Sequence, residues 1–276
     1  MLLFESILIG IAIGLLAGAL GIGGGILAIP VLVYLLGQDP HAATAESLVI
    51  ILVTSAAALP SRFKNHQVRL SVGAIFGFCS AFGAVVGARL NAVVNGDLVM
   101  LLFAALLVGV AITMLNGGLR DRRAENTAIA SGTSLAEFEA EAEPDDVRIS
   151  WRKIPLMLLI GSGTGLLVGF FGIGGGFAMI PVLVFVMRYS IRVAAGTSFI
   201  VILVLSVTAL LSRIGTGVQI DWLVAILFAI GSGVGSAIGS PLSNRARAST
   251  LTFIFVALLV VVAIYICITT VLGVAV

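Results

Sequence analysis

A helix that crosses a bilayer must bond its own backbone N–H and C=O groups, because hydrocarbon offers them no partner. Residues 20–34, LGIGGGILAIPVLVY, break that rule inside an apolar stretch. Residues 171–185, FGIGGGFAMIPVLVF, break it again 151 residues later. Glycine in a helix interior costs about 1 kcal/mol relative to alanine, and three in succession free the backbone to turn. Such a break is tolerated at membrane depth only where protein buries it or a cavity is lined by it. Any fold for this chain must therefore bury two interrupted helices or line a cavity with them.

Composition sets the solvent. The 276 residues are 60% hydrophobic and only 10% charged, against about 25% charged in a soluble domain. Several runs reach the ~20 apolar residues that span a bilayer, and the alternating segments of a membrane barrel are absent. The expected fold is an all-α integral membrane protein, multi-pass, in the inner (plasma) membrane. Cys79 and Cys267 stand alone in apolar runs and read as small hydrophobes. No metal-ligand spacing, redox motif or cofactor motif is present, and no nucleophile–base pair that would suggest an enzyme. The start, MLLFESILIGIAIGLL, lacks the basic region of a signal peptide. Expected partners are the lipid bilayer and a small anionic substrate, with room for a homodimer and none for nucleic acid.

The break is part of an internal duplication. Residues 14–36 and 165–187 are identical at 14 of 23 positions. The alignment continues through Ser61-Arg62 against Ser212-Arg213 and, after one inserted residue, Gln67-Val68-Arg69 against Gln219-Ile220-Asp221. The chain divides into a first membrane repeat, 1–116, a hydrophilic linker, 117–153, and a second membrane repeat, 154–276. The linker holds eight of the 13 acidic residues; it reads as a cytoplasmic connector with a helical tendency at 134–142. Each repeat begins with an apolar segment (4–20, 155–171), then the break, then a short segment (26–36, 177–187). Three full spans follow: 42–60, 70–92 and 97–116 in the first repeat; 193–211, 221–243 and 249–272 in the second. That makes about 8–10 membrane segments. The short segment of about 11 residues rises ~16 Å, half of a ~30 Å core.

Orientation follows from lysine and arginine. If the break reverses the chain, each repeat crosses an odd number of times and the repeats are inverted. Thirteen of the 15 positive residues then face the cytoplasm. With an even count, Arg188, Arg192, Arg245 and Arg247 fall on the far side. The odd count is the better reading.

The break also carries a chemical expectation. A helix that starts at a glycine run directs free N–H groups and the positive end of its dipole at whatever lies before it, which favours an anion. Two such starts converging from opposite faces follow the plan of secondary transporters. Other glycine pairs at four-residue spacing, such as Gly14 with Gly18 and Gly231 with Gly235 and Gly239, read as close helix packing.

The doubled G-x-GGG-x4-P-x-L element, followed by an Ala/Gly-Thr-Ser-type helix start, resembles the sulfite exporter TauE/SafE family, or toluene sulfonate uptake permease superfamily. The resemblance covers both repeats. It implies transport of small sulfur-containing or organic anions such as sulfite, sulfoacetate or other sulfonates. On that reading Gly21, Gly23, Gly24 and Gly25, with Gly172, Gly174, Gly175 and Gly176, form the substrate site, helped by the hydroxyls of Ser47, Thr197 and Ser198. Where the second repeat has Thr197-Ser198, the first has Glu46-Ser47.

Three arginines and one acid remain. Arg62 and Arg213 occupy equivalent positions and are candidates for positive vestibules on opposite faces. Arg89, late in a span, belongs to an anion path or snorkels to the interface. Glu46 is an ionisable group inside a span, where such groups are costly and often functional. It is the candidate for proton coupling; the bland alternative is an acid in an early helical turn near water. An anion channel and a carrier of small carboxylates remain the alternatives to a sulfonate permease.

Overall fold

The computed structural model describes residues 2–20, 24–130, 154–173, 179–180, 182–183, 189, 191–214, 217–242 and 248–272. Its elements are helices: α1 (Leu2–Leu20), α2 (Gly25–Pro30), α3 (Pro40–Lys64), α4 (Leu70–Asn91), α5 (Gly96–Ala130), α6 (Ile154–Phe171), α7 (Ile191–Ser212), α8 (Trp222–Leu242) and α9 (Ala248–Leu272). Among the described residues, five helices have the length and hydropathy of a full span, within α3, α4, α5, α7 and α8. Shorter apolar stretches lie at Ser6–Ala19, Gly25–Leu35, Leu158–Phe171 and Val256–Thr269. This is an all-α, multi-pass membrane protein. Large apolar side chains left outside, among them Phe78, Phe82, Leu159 and Ile238, supply a lipid-facing surface.

Local chemistry explains several boundaries. Asp39 caps α3, accepting from the N–H groups of His41 at 2.8 Å and Ala42 at 3.3 Å, and Pro40 takes the first helical position, where its missing N–H costs nothing. Gly24 begins the short helix in the left-handed conformation, φ +83°, which glycine adopts without strain. Pro30 ends the α-helical part. It has no N–H for the carbonyl one turn back, and a wider π turn follows at Val31–Leu35. Together they make the expected short segment. Helix α5 runs on to Ala130, well into the linker; the rest of the linker, including 134–142, lies outside the described residues.

The repeats are interlocked. Helix α1 packs along α8 of the other repeat, and its equivalent α6 packs along α4. Helix α3 packs on α8, as α7 packs on α4, while α5 meets α9 and α3 meets α7. Each of these six pairings therefore maps onto its repeat counterpart or onto itself. Glycine permits the closest of these approaches. A Cβ on Gly14 or Gly18 would collide with the backbone of Ser232 or Ser236, and one on Gly165 or Gly169 with the backbone of Ser80 or Ala84.

Helix directions follow from the contacts. Arg213, just beyond the end of α7, bonds Thr44 near the start of α3. Thr197, near the start of α7, bonds Arg69 just beyond the end of α3. The repeat-related pair α3 and α7 thus runs antiparallel. Gly10, Gly14 and Gly18 meet successively later residues of α8, so α1 and α8 run parallel.

Candidate functional site

The described residues of the two breaks meet at Gly25 and Ile173. A Cβ built on Gly25 would lie 3.0 Å from the carbonyl carbon of Ile173, and would also collide with the side chain of Ile51 on α3. Gly25, Ile26 and Ile173 are buried. From α3, the Ser47 hydroxyl donates to the carbonyl of Gly172 at 2.7 Å and to that of Thr44 at 2.9 Å. Gly172 has φ +71°, and a Cβ there would strike the Thr44 carbonyl. Glycine is therefore required at 172 by conformation and by space. Gly21, Gly23, Gly174, Gly175 and Gly176 lie outside the described residues.

The ends of the broken helices expose carbonyls that have no partner within the helix. Arginine satisfies them on both sides. Arg62, 1% exposed, donates from Nη2 to the carbonyls of Gly18 at 3.1 Å and Ala19 at 3.4 Å, in the last turn of α1. Its Nε donates to Ser240 Oγ of α8 and its Nη1 to Gln67 Oε1. Arg213, 5% exposed, donates from Nη2 to the carbonyl of Gly169 at 3.1 Å, in the last turn of α6. Its Nη1 reaches Thr44 Oγ1 at 2.8 Å and the His41 carbonyl at 3.3 Å. Gly18 and Gly169 are themselves repeat equivalents. Asn91 completes the second end, donating to the Phe170 carbonyl at 2.8 Å and accepting from Thr44.

A cation at a helix C-terminus is favoured by the dipole, and the guanidinium fork serves several carbonyls at once. These two arginines are buried helix-end caps, whereas the sequence suggested vestibules. Arg89 is exposed on the last turn of α4.

The first turns of α3 and α7 repeat one device across the halves. Thr197 Oγ1 accepts from the backbone N–H of Arg69, at the start of α4, at 3.1 Å. Glu46 Oε1 accepts from the backbone N–H of Asp221, at the start of α8, at 2.9 Å. Ser198 donates to the Ala195 carbonyl of its own helix at 2.8 Å. Ser47 bonds a described residue of a break, Gly172.

The two ends differ. Gln67 bonds Arg62, while its repeat partner Gln219 is exposed on a cavity of about 370 Å³ with Asp39, His41, Ala42, Ala92, Gly217 and Val218. That cavity lies beside the Arg213 cluster, since His41 and its carbonyl belong to both.

Residues 6–266 match the sulfite exporter TauE/SafE family. The chain belongs to that family. It is 30% identical over 262 residues to a "probable membrane transporter protein" of Xylella fastidiosa (strain Temecula1), covering 94% of this chain and 91% of that one. It is 27% identical to the "probable membrane transporter protein YunE" of Bacillus subtilis, covering 93% and 96%. No solved structure matches it. TauE/SafE proteins are membrane transporters and not enzymes, so this chain is a membrane transporter.

Sequence reasoning passed over Asn91 and Thr44, which tie α3, α4 and α6 together at the second break. The signal was an amide and a hydroxyl within apolar spans, where polar groups need partners. Ser47→Ala is expected to leave the Gly172 carbonyl without its side-chain partner and to lower stability by about 1–2 kcal/mol. Thermal unfolding in detergent measures it; an unchanged midpoint would remove Ser47 from the junction.

Proposed function

We propose that this TauE/SafE chain is a secondary carrier of small sulfur-containing or organic anions in the inner (plasma) membrane. Sulfite, sulfoacetate and other sulfonates are the leading candidates. It works by alternating access between two inverted repeats, with the two GIGGG breaks as one central site. The observation that carries the reading is the approach of Gly25 to Ile173, with Ser47 bonded to Gly172 across the repeats. Helix α2 starts at that junction, and a helix start attracts negative charge. Glycine amides of both breaks hold the anion, and Ser47, whose hydroxyl is bonded to the Gly172 carbonyl, positions the second break, with Thr197 and Ser198 at the equivalent helix start.

Inversion is supported by the antiparallel run of α3 and α7 and by the loops each brings together. Gln67 packs on Gly196, so the basic turn Arg62–Arg69 lies beside the start of α7, which Arg188 precedes in sequence and which Arg192 belongs to. That grouping agrees with the positive-inside count. The cavity beside Arg213 then opens on the opposite, outer side. Reporters placed at 37–41 and 188–192 are expected on opposite faces; finding both on one face would end the inverted arrangement.

The decisive experiment is transport into proteoliposomes with sulfite, sulfate, thiosulfate, sulfoacetate, taurine and acetate. Saturable counterflow of a sulfonate or sulfite is expected. Single-channel currents would make the protein a channel, uptake of acetate alone would make it a carboxylate carrier, and movement of a cation alone would overturn the helix-start argument.

A further inference from the structure

We propose that Glu46 is a proton-binding site that makes this carrier an anion–proton cotransporter; the inference deepens the carrier reading and rests on it. Glu46 lies in the second turn of α3 and is 0% exposed. Its Oε1 accepts from the Asp221 N–H, and its Oε2 has no hydrogen-bond partner. On the same face of α3, Ala43 and Ile50 pack with Leu27, Ala28 and Leu32 of the short segment and with Phe228 of α8. An ionised carboxylate with a bare oxygen in such surroundings is costly. A proton on Oε2 removes the charge and supplies a hydrogen that can be donated.

The repeat shows that a carboxylate is more than the fold needs here. Thr197, the equivalent residue, makes the same bond to the Arg69 N–H. An oxygen acceptor suffices to hold the start of the next repeat's helix, and a hydroxyl provides it. What Glu46 adds is the ability to titrate.

The charged neighbours agree with a proton as ligand. Asp221 faces Glu46 from α8, exposed to solvent, with its own carboxylate accepting from the N–H groups of Leu223 and Val224. It brings a like charge and a wet end to the route. Arg213 reaches α3 from α7 one turn earlier, at Thr44 and His41. Asp39 and His41 lie at the start of α3 itself, and Tyr34 follows α2. Helices α1 and α5, which also touch α3, carry Glu5 and Asp97. A metal cation would need several oxygen ligands, and no group of three acidic, histidine or cysteine residues occurs among the described residues.

The coupling is electrostatic and local. Ser47, the next residue, holds the Gly172 carbonyl of the second break. An anion arriving there is repelled by an ionised Glu46 and not by a neutral one. Proton and anion therefore bind together: the carboxylate takes a proton from water at the Asp221 end, becomes a carboxylic acid, and returns the proton on the far side. No other bond changes.

The test uses the full-length protein in proteoliposomes with labelled sulfoacetate, whose sulfonate stays ionised throughout. An inward proton gradient is expected to drive accumulation in the wild type. In Glu46→Gln that accumulation should fall at least about tenfold further than gradient-free counterflow does, because the coupled state is no longer formed. Equal losses, or accumulation that survives, would overturn the proposal. Infrared titration without substrate gives an independent reading. The carbonyl stretch of a protonated carboxyl should vanish in Glu46→Gln and shift its midpoint in Glu46→Asp. A band unchanged in both variants rejects the site, and so does one that moves with sodium rather than pH. If wild-type protein shows the band but no anion counterflow, the carrier reading fails and the cotransport claim falls with it. The proton site itself then stands on the band alone.

Discussion

Arg62→Ala is expected to abolish stable insertion, or to leave protein that unfolds in mild detergent. The side chain is buried and donates to Gly18, Ala19, Ser240 and Gln67. Removing it strips the last turn of α1 of its cap and unties α1, α3 and α8 from one another. Breaking a buried charged network in this way costs about 3–5 kcal/mol, a large part of a stability of about 5–15 kcal/mol. Lysine should not rescue the loss, because one ammonium cannot reach a helix end, a serine and a glutamine in one plane. Arg213→Ala should behave in the same way through Gly169, Thr44 and His41. Fluorescence-detected size exclusion and thermal unfolding measure both. A midpoint within about 2 °C of wild type for Arg62→Ala would show that the carbonyls find other partners and would return the arginine to a vestibule role.

Gly172→Ala is expected to stop transport. Its φ of +71° costs a non-glycine residue about 1–2 kcal/mol. Its new methyl group would also strike the Thr44 carbonyl and approach Ser47 Oγ to 2.9 Å, displacing the hydroxyl that joins the break to α3. Gly25→Val should act at the same junction from the other side, against Ile51 and Ile173. For Gly172→Ala, counterflow should fall at least about a hundredfold, because a misplacement of about 1 Å at a binding site is felt that strongly. Gly109→Ala is the control. Nothing lies within 4 Å of its added methyl, and alanine favours the helix. If Gly172→Ala inserts and transports like this control, the break serves packing alone.

Much of the framework was legible in the residues. Hydropathy and charge content place the chain in a bilayer because the solvent selects composition over long windows. The doubled GIGGG showed as duplication and as interruption, since glycine takes the φ found at Gly24 and Gly172 without strain. The packing glycines were equally local in origin. The roles of Arg62 and Arg213 were not legible. Whether a buried guanidinium serves an anion or a helix end depends on which carbonyls surround it, and those come from residues 43 and 44 positions away. Ser47 was singled out as a ligand for substrate, yet its hydrogen goes to Gly172 in the opposite repeat. Asn91 went unnoticed because its partner, the Phe170 carbonyl, lies 79 residues on.

The amino-acid sequence by itself determined the solvent, the duplication, the place of each break and the family, because these rest on composition, backbone freedom and periodicity that a short window contains. Only the tertiary structure decided that each repeat's first helix packs against the other repeat, that the two breaks meet at Gly25 and Ile173, and that Glu46 is buried with one oxygen unpartnered. Those are facts of long-range packing. A side chain's partners and its access to water are set by chain segments that no local pattern specifies.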